Sequence, residues 1–231
     1  MKNLTFIAEI GMNYNTNLGV AYELIRQAKL ADADIVKFQL GWRDKPGEIN
    51  HLTNEDISNL YKWANFYEID LMFSIISHEA FELIKNFPLK HIKIASRTTK
   101  DDISLVNKII NLNIHTYISF GMSEVENFNL EKTDKISYLH CVSKYPSFYD
   151  EIKKMPKDFS ISIYDGYSDH TIGIETALIA ISRGAKIIEK HFTLDKSDTT
   201  IRDHALSATP DEFKQMVNIG RQINRILNFS N

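Results

Sequence analysis

Asp34-Ile35-Val36-Lys37-Phe38-Gln39-Leu40 is the stretch on which the architecture turns. It is too short for a helix and rich in β-branched and aromatic residues, so it reads as a buried parallel strand. Within it Lys37 and Gln39 stand two apart and share one face. A lysine inside an apolar run is costly to bury unless it is paired. Working outward, seven more short runs have the same character: Thr5–Ile10, Asp70–Ile75, His91–Ala95, His115–Ser119, Lys135–His140, Ser160–Tyr164 and Lys186–His191. Amphipathic stretches separate most of them. Gly19–Ala31 places Ala21, Leu24, Ile25, Ala28 and Ala31 on one face, and Glu55–Tyr67 does so with Ile57, Leu60, Trp63, Ala64 and Tyr67. Asp102–Leu112, Ile174–Arg183 and Asp211–Leu227 follow, the last opened by Pro210. The segments after Ser119 and His140 are less clearly helical.

Eight strands spaced by about 29 residues, with crossover helices, close most naturally into a TIM (β/α)8 barrel, an α/β fold in one domain over 1–231. The rival, a doubly wound open sheet, needs a glycine-rich phosphate loop after its first strand, and Gly11-Met12-Asn13-Tyr14-Asn15 is not one.

Composition narrows the function classes. The 231 residues include 27 Lys plus Arg and 30 Asp plus Glu, a formal charge of −3, which argues against a nucleic-acid binder. The single cysteine, Cys141, permits no internal disulfide and suits a reducing compartment. No window approaches the roughly 20 apolar residues of a membrane span, and the N-terminal residues do not read as a signal peptide. A cytoplasmic protein without membrane partners is the expectation.

Barrel chemistry sits at the C-terminal strand ends, and unusual residues recur there: Glu9 to Asn13, Lys37 to Gln39, Lys93 to Arg97, His140 to Tyr145, Ser168 to Thr171, and Glu189 to His191. Glu189 and His191 share a face, as Lys37 and Gln39 do. Taken singly, each has a structural explanation. Lys37 can reach solvent at a strand end. Glu189 and Lys190 can point inward and outward in an ion pair. His140 suits the core, and Ser96 suits a turn or helix cap. Their shared position is the informative feature. His170 and His191 follow consecutive strands and read either as a metal pair or as two separately hydrogen-bonded histidines. Lys37, Lys93 and Ser96 are donors suited to a phosphate or carboxylate.

The runs FIAEIGMNYN, ADADIVKFQ, KIAS, HCVSKYP, SDHTIGIE and GAKIIEKHFTLD, in this order, resemble the sialic acid synthase family of N-acetylneuraminate, legionaminate and pseudaminate synthases. The resemblance runs from about Phe6 to the last helix. It implies a barrel that condenses phosphoenolpyruvate with an N-acetylated hexose or related aldose to a nonulosonic acid, releasing phosphate, with Mn2+ or Mg2+ as cofactor. It places metal ligands at His170 and His191. Catalytic positions fall at Glu9, Lys37, Lys93 and Glu189, and substrate contacts at Gln39, Ser96, Tyr145, Ser168 and Asp203. Bacterial surface-polysaccharide synthesis and a homodimer are further implications.

The sequence departs from that family in four places. A C-terminal antifreeze-like domain, which lends an arginine to a partner's site, is expected to be missing after Asn231. Ser74-Ile75-Ile76-Ser77 replaces a Ser-Thr-Pro-Phe-like run. Arg97-Thr98 replaces a pair ending in glutamate, losing a base and gaining a permanent cation that suits phosphate or an acidic sugar. Asn13-Tyr14-Asn15-Thr16 replaces Asn-His-Asn-Gly. Arg202 is a candidate substitute for the missing arginine. Two other readings are also compatible with the residues. One is an aldolase or lyase forming a Schiff base on Lys37 or Lys93. The other is a non-catalytic sugar-binding barrel or subunit.

Overall fold

In the computed structural model, eight parallel strands close in sequence order into a barrel. The structure describes residues 4–123, 125, 128 and 132–229. The strands are β1 (Thr5–Gly11), β2 (Ile35–Leu40), β3 (Asp70–Ile75), β4 (His91–Ile94), β5 (His115–Phe120), β6 (Ile136–Cys141), β7 (Gly166–Asp169) and β8 (Ile187–His191). Helices α1 (Leu18–Leu30), α2 (Asn54–Phe66), α3 (His78–Ile84), α4 (Ser96–Asp101), α5 (Ile103–Ile110), α6 (Glu175–Ser182), α7 (Asp203–Leu206) and α8 (Pro210–Phe229) surround it. Only a 3-10 helix, Tyr149–Lys154, lies between β6 and β7 among the described residues. Among those residues no helix is long and apolar enough to cross a membrane.

Helix starts follow local chemistry. Asn17 and Ser77 accept from backbone N–H groups at the starts of α1 and α3. Thr53 and Asp56 form a reciprocal capping box on α2, and Asp102 caps α5. Each cap contributes about 1 kcal/mol. The outward strand residues Phe6, Ala8, Val36, Phe38, Phe73, Ile92 and Ile188 pack under the helices as the main core.

Inside the ring the alternation produces layers. Ile7, Ile35, Met72, Tyr117, Leu139 and Ile187 form a separate apolar plug. Toward the N-terminal mouth, Asp70, His91, His115 and Ser137 make a polar rim, where the His91 Nε2 lies 3.3 Å from Asp70 and that of His115 lies 3.1 Å from Ser137 Oγ. Toward the C-terminal mouth the plug is overlain by Glu9, Lys37, Ser74, Lys93 and Glu189. The two registers Glu9↔Lys37 and Ser74↔Lys93 bring these neighbours level.

One strand lies elsewhere than the sequence pattern predicts. The alternation of Ser160–Tyr164 reads as β7, but this segment is irregular, with Ile161 86% exposed and Ile163 also exposed. Ser160 instead donates backbone and hydroxyl hydrogen bonds to Asp158, closing a turn. The true strand begins at Gly166, where a Cβ would lie 2.6 Å from Ile187 Cβ and overlap its carbonyl. Close approach to β8, not apolar alternation, selects the strand. His140 points outward from β6 and stacks on Tyr167 with ring centroids 6.0 Å apart, as the core reading expects. Burial pushes its imidazole down to about 4, aided by Lys154.

Replacing Gly166 by alanine therefore forces β7 away from β8. The expected cost is about 1–3 kcal/mol, read as a lower urea midpoint with an unchanged far-ultraviolet circular dichroism spectrum in the folded baseline.

Candidate active site

The C-terminal mouth opens into a cavity of about 520 Å³. Its floor is a charge network above the apolar plug. Lys37 Nζ lies 2.8 Å from Glu9 Oε2 and 3.4 Å from Glu189 Oε2, and donates to Ser74 Oγ at 2.9 Å. Lys93 Nζ meets Glu189 Oε1 at 2.8 Å. Ser168 donates to the same carboxylate oxygen, and Gln39 Nε2 donates to Glu9 Oε1 at 2.8 Å. Two ammonium groups and two carboxylates thus balance within a space where all four are almost fully buried.

The two lysines are not equivalent. Burial depresses the Lys37 ammonium, but Glu189 and Glu9 outweigh it and hold the group above its ordinary value. Lys93 suffers the same burial, has only Glu189 as a direct carboxylate partner and is repelled by Lys37, so it falls below its ordinary value. Glu189 is pushed up by burial and pulled down further by Lys37 and Lys93, ending well below the usual carboxylate range. It is therefore a permanent anion at neutral pH.

Above the floor stand the imidazoles of His170 and His191, ring centroids 5.5 Å apart. His170 Nδ1 lies 2.7 Å from the Val142 carbonyl. A carbonyl only accepts, so Nδ1 carries the proton and Nε2 keeps its lone pair. Burial, with His191 nearby, pushes His170 down to about 4, so the ring is neutral at physiological pH. His191 Nδ1 is buried with no hydrogen-bond partner. Two imidazoles with ring nitrogens left over, His170 through Nε2 and His191 through its unpartnered Nδ1, fit a divalent ion that keeps positions for water and substrate. Among the described residues no group of three or more His, Cys, Asp or Glu side chains is arranged to hold a metal.

Tyr145 packs against both imidazoles, its ring 4.3 Å from that of His170 and 5.9 Å from that of His191. Burial raises its phenol, which stays protonated and able to donate. Asp203, at the start of α7, has Oδ1 buried without a hydrogen-bond partner. Arg43, Arg97 and Arg202 line the outer wall with Trp42.

All twelve residues singled out from the sequence line this cavity: Glu9, Lys37, Gln39, Lys93, Ser96, Arg97, Tyr145, Ser168, His170, Glu189, His191 and Asp203. Glu189 and Lys190 do point to opposite sides, but each pairs elsewhere; Lys190 binds Asp169 at 3.1 Å outside the ring. Ser96 is the first residue of α4, not its cap, and its Oγ lies 3.0 Å from Cys141 Sγ. Thr98 is turned away, donating to the Ile75 carbonyl at 3.3 Å. The altered loop after β1 also serves structure. Asn13 donates to Phe192 O and Ser207 Oγ, both at 3.0 Å, and Tyr14 donates to Asn50 Oδ1 at 2.8 Å. Sequence reading missed Trp42, Arg43 and Ser119 as lining residues. Ser119 follows Tyr117 by two on an inward face, which is a usable signal; its buried hydroxyl has no partner. Trp42 and Arg43 come from a loop with no periodicity.

Residues 47–230 match the NeuB family. The chain belongs to that family. It is 31% identical to the N,N'-diacetyllegionaminic acid synthase of Campylobacter jejuni over 98% of this chain and 78% of that protein. It is 30% identical to a pseudaminic acid synthase of the same species, over 96% and 74%. The crystal structure of N-acetylneuraminic acid synthetase from Leptospira borgpetersenii, in complex with citrate, superposes with a TM-score of 0.86 at 27% identity, covering 97% of this chain and 85% of that one. The NeuB membership and the closed barrel agree with the resemblance drawn from the motifs.

The floor network yields a stability prediction. Glu189→Gln leaves two buried ammonium groups sharing one carboxylate, at an expected cost of about 3–5 kcal/mol. Because the folded-state value of Glu189 is depressed, the stability it contributes is present above the ordinary glutamate value of 4.5 and is lost as pH falls below it. Urea midpoints measured from pH 7 down to acid should decline less steeply for the variant than for the parent chain.

Proposed function

We propose that this NeuB-family chain condenses phosphoenolpyruvate with an aldose to give a sialic-acid-like nonulosonic acid. The observation that carries the reading is the buried Lys37–Glu9–Glu189–Lys93 floor set beneath two imidazoles with uncommitted nitrogens. Carbon 3 of phosphoenolpyruvate bonds to the aldehyde carbon, whose oxygen becomes a hydroxyl. Water adds at carbon 2, and phosphate leaves with its bridging oxygen as the C–O bond breaks.

His170 and His191 would hold a divalent ion, manganese or magnesium, which supplies Lewis-acid polarisation of the acceptor carbonyl. The chain's own residues do the rest. Lys37, fixed by two carboxylates and Ser74, provides a field that needs no reorganisation as charge develops. Lys93, with a single carboxylate contact, retains N–H donors for a phosphate or carboxylate oxygen. The hydroxyls of Ser96, Ser119 and Ser168 extend that cradle, and Asp203 Oδ1 and Glu9 accept sugar hydroxyls. Position 98 contributes no general base, since Thr98 faces the Ile75 carbonyl.

The depressed Lys93 also supports a second reading, imine chemistry on that amine. Its 2.8 Å bond to the permanent anion Glu189 favours the ammonium and weighs against it.

The expected outcome is release of inorganic phosphate from phosphoenolpyruvate only when an N-acetylhexosamine or other aldose and manganese are both supplied. Chelation should abolish the release and readdition restore it, and His170→Ala should lower kcat about 100-fold or more. Phosphate is followed colorimetrically and the nine-carbon acid by mass spectrometry. No release across a panel of aldoses, together with a borohydride-trapped adduct on Lys93, would replace condensation by the imine reading.

A further inference from the structure

The cavity carries more cation than its floor accounts for. Lys37 and Lys93 are matched by Glu9 and Glu189, whereas Arg43, Arg97 and Arg202 at the open end face Asp203 alone among the lining carboxylates. Asp203 meets Arg202, with its Oδ1 3.5 Å from Arg202 Nε. Among the described residues Arg97 has no carboxylate partner. Two of the three guanidinium groups lie over aromatic rings, Arg97 at 4.7 Å from the Trp42 centroid and Arg202 at 4.6 Å from that of Tyr145. A guanidinium stacked this way keeps its N–H edge free, the edge that grips an oxyanion through two parallel bonds.

Burial sets where such an oxyanion sits. The floor lysines are closed off from water, and Arg97 and Arg202 are exposed. Tyr145 touches both imidazoles as well as Arg202, so it joins the reacting centre to the rim. A ligand whose carbonyl lies at the imidazoles and whose far end reaches the arginines bears its charge away from the reacting carbon.

We infer that the acceptor aldose carries an anionic group, a phosphomonoester or a carboxylate, at the end remote from its aldehyde, held by Arg97 and Arg202. This rests on the condensation reading for the word acceptor, but the anion subsite stands on the rim residues themselves.

The test reads binding without turnover. With Trp63 replaced by phenylalanine, Trp42 is the only tryptophan and lies beneath Arg97, so its emission reports the rim. The full chain is titrated, without phosphoenolpyruvate, with an N-acetylhexosamine, its 6-phosphate and the matching uronate. At least one charged sugar should shift the emission and bind about tenfold or more tightly than the neutral one. Arg97→Ala and Arg202→Ala should each remove most of that margin, and Arg97→Lys should restore part of it. The charged sugar that retains the margin names the source of the anion. Equal binding of neutral and charged sugars overturns the inference. So does a loss of affinity for phosphoenolpyruvate, instead of the charged sugar, in both alanine variants. Selective binding with no phosphate release under any condition would remove the condensation reading and leave the subsite, whereas turnover with neutral sugars only would do the reverse.

Discussion

Everything at the C-terminal mouth depends on two lysines and two glutamates sharing one dry compartment. Desolvating any one of these charges alone would cost several kcal/mol. Together they neutralise one another through contacts of 2.8 to 3.4 Å and leave spare hydrogen-bonding capacity facing upward. The apolar plug makes this possible, because Ile7, Ile35, Met72, Tyr117, Leu139 and Ile187 keep water from entering below. The same low-polarity setting separates the two lysines into one held ammonium and one that is easier to deprotonate.

The division of labour along each strand follows from its period of two. In β2, Ile35 serves the plug, Lys37 the floor and Gln39 the cavity wall, while Val36, Phe38 and Leu40 bind the helices. In β8, Ile187, Glu189 and His191 repeat that order from plug to imidazole. Three rungs on one strand face thus span apolar closure, charge balance and potential metal binding. A one-residue slip in register would turn all three outward.

That periodicity is why much of the molecule is legible in the sequence. Alternation placed Lys37 with Gln39 and Glu189 with His191, and chain order placed the strand ends together. Other features depend on information that local sequence lacks. Lys93 and Glu189 meet across 96 positions only because the ring closes. The seventh strand hid because Gly166, chosen for contact with Ile187, carries no apolar signal, and the louder Ile161 and Ile163 point to water. Trp42 and Arg43 lie on a loop with Gly41 and Arg43 both at positive φ, a geometry that hydropathy does not report. Thr98 shows the opposite case: the sequence registers a lost acid, and only the structure shows that the side chain faces a backbone carbonyl.

The plug has one more consequence, for timing. The chamber is sealed at its base by the plug, and the floor lies beneath the imidazoles and the arginines of the outer wall. On the condensation reading, the reactant seated on the lysines lies deeper than its companion, which then covers it. On that reading, the closed end of the barrel therefore favours an ordered binding of the two reactants.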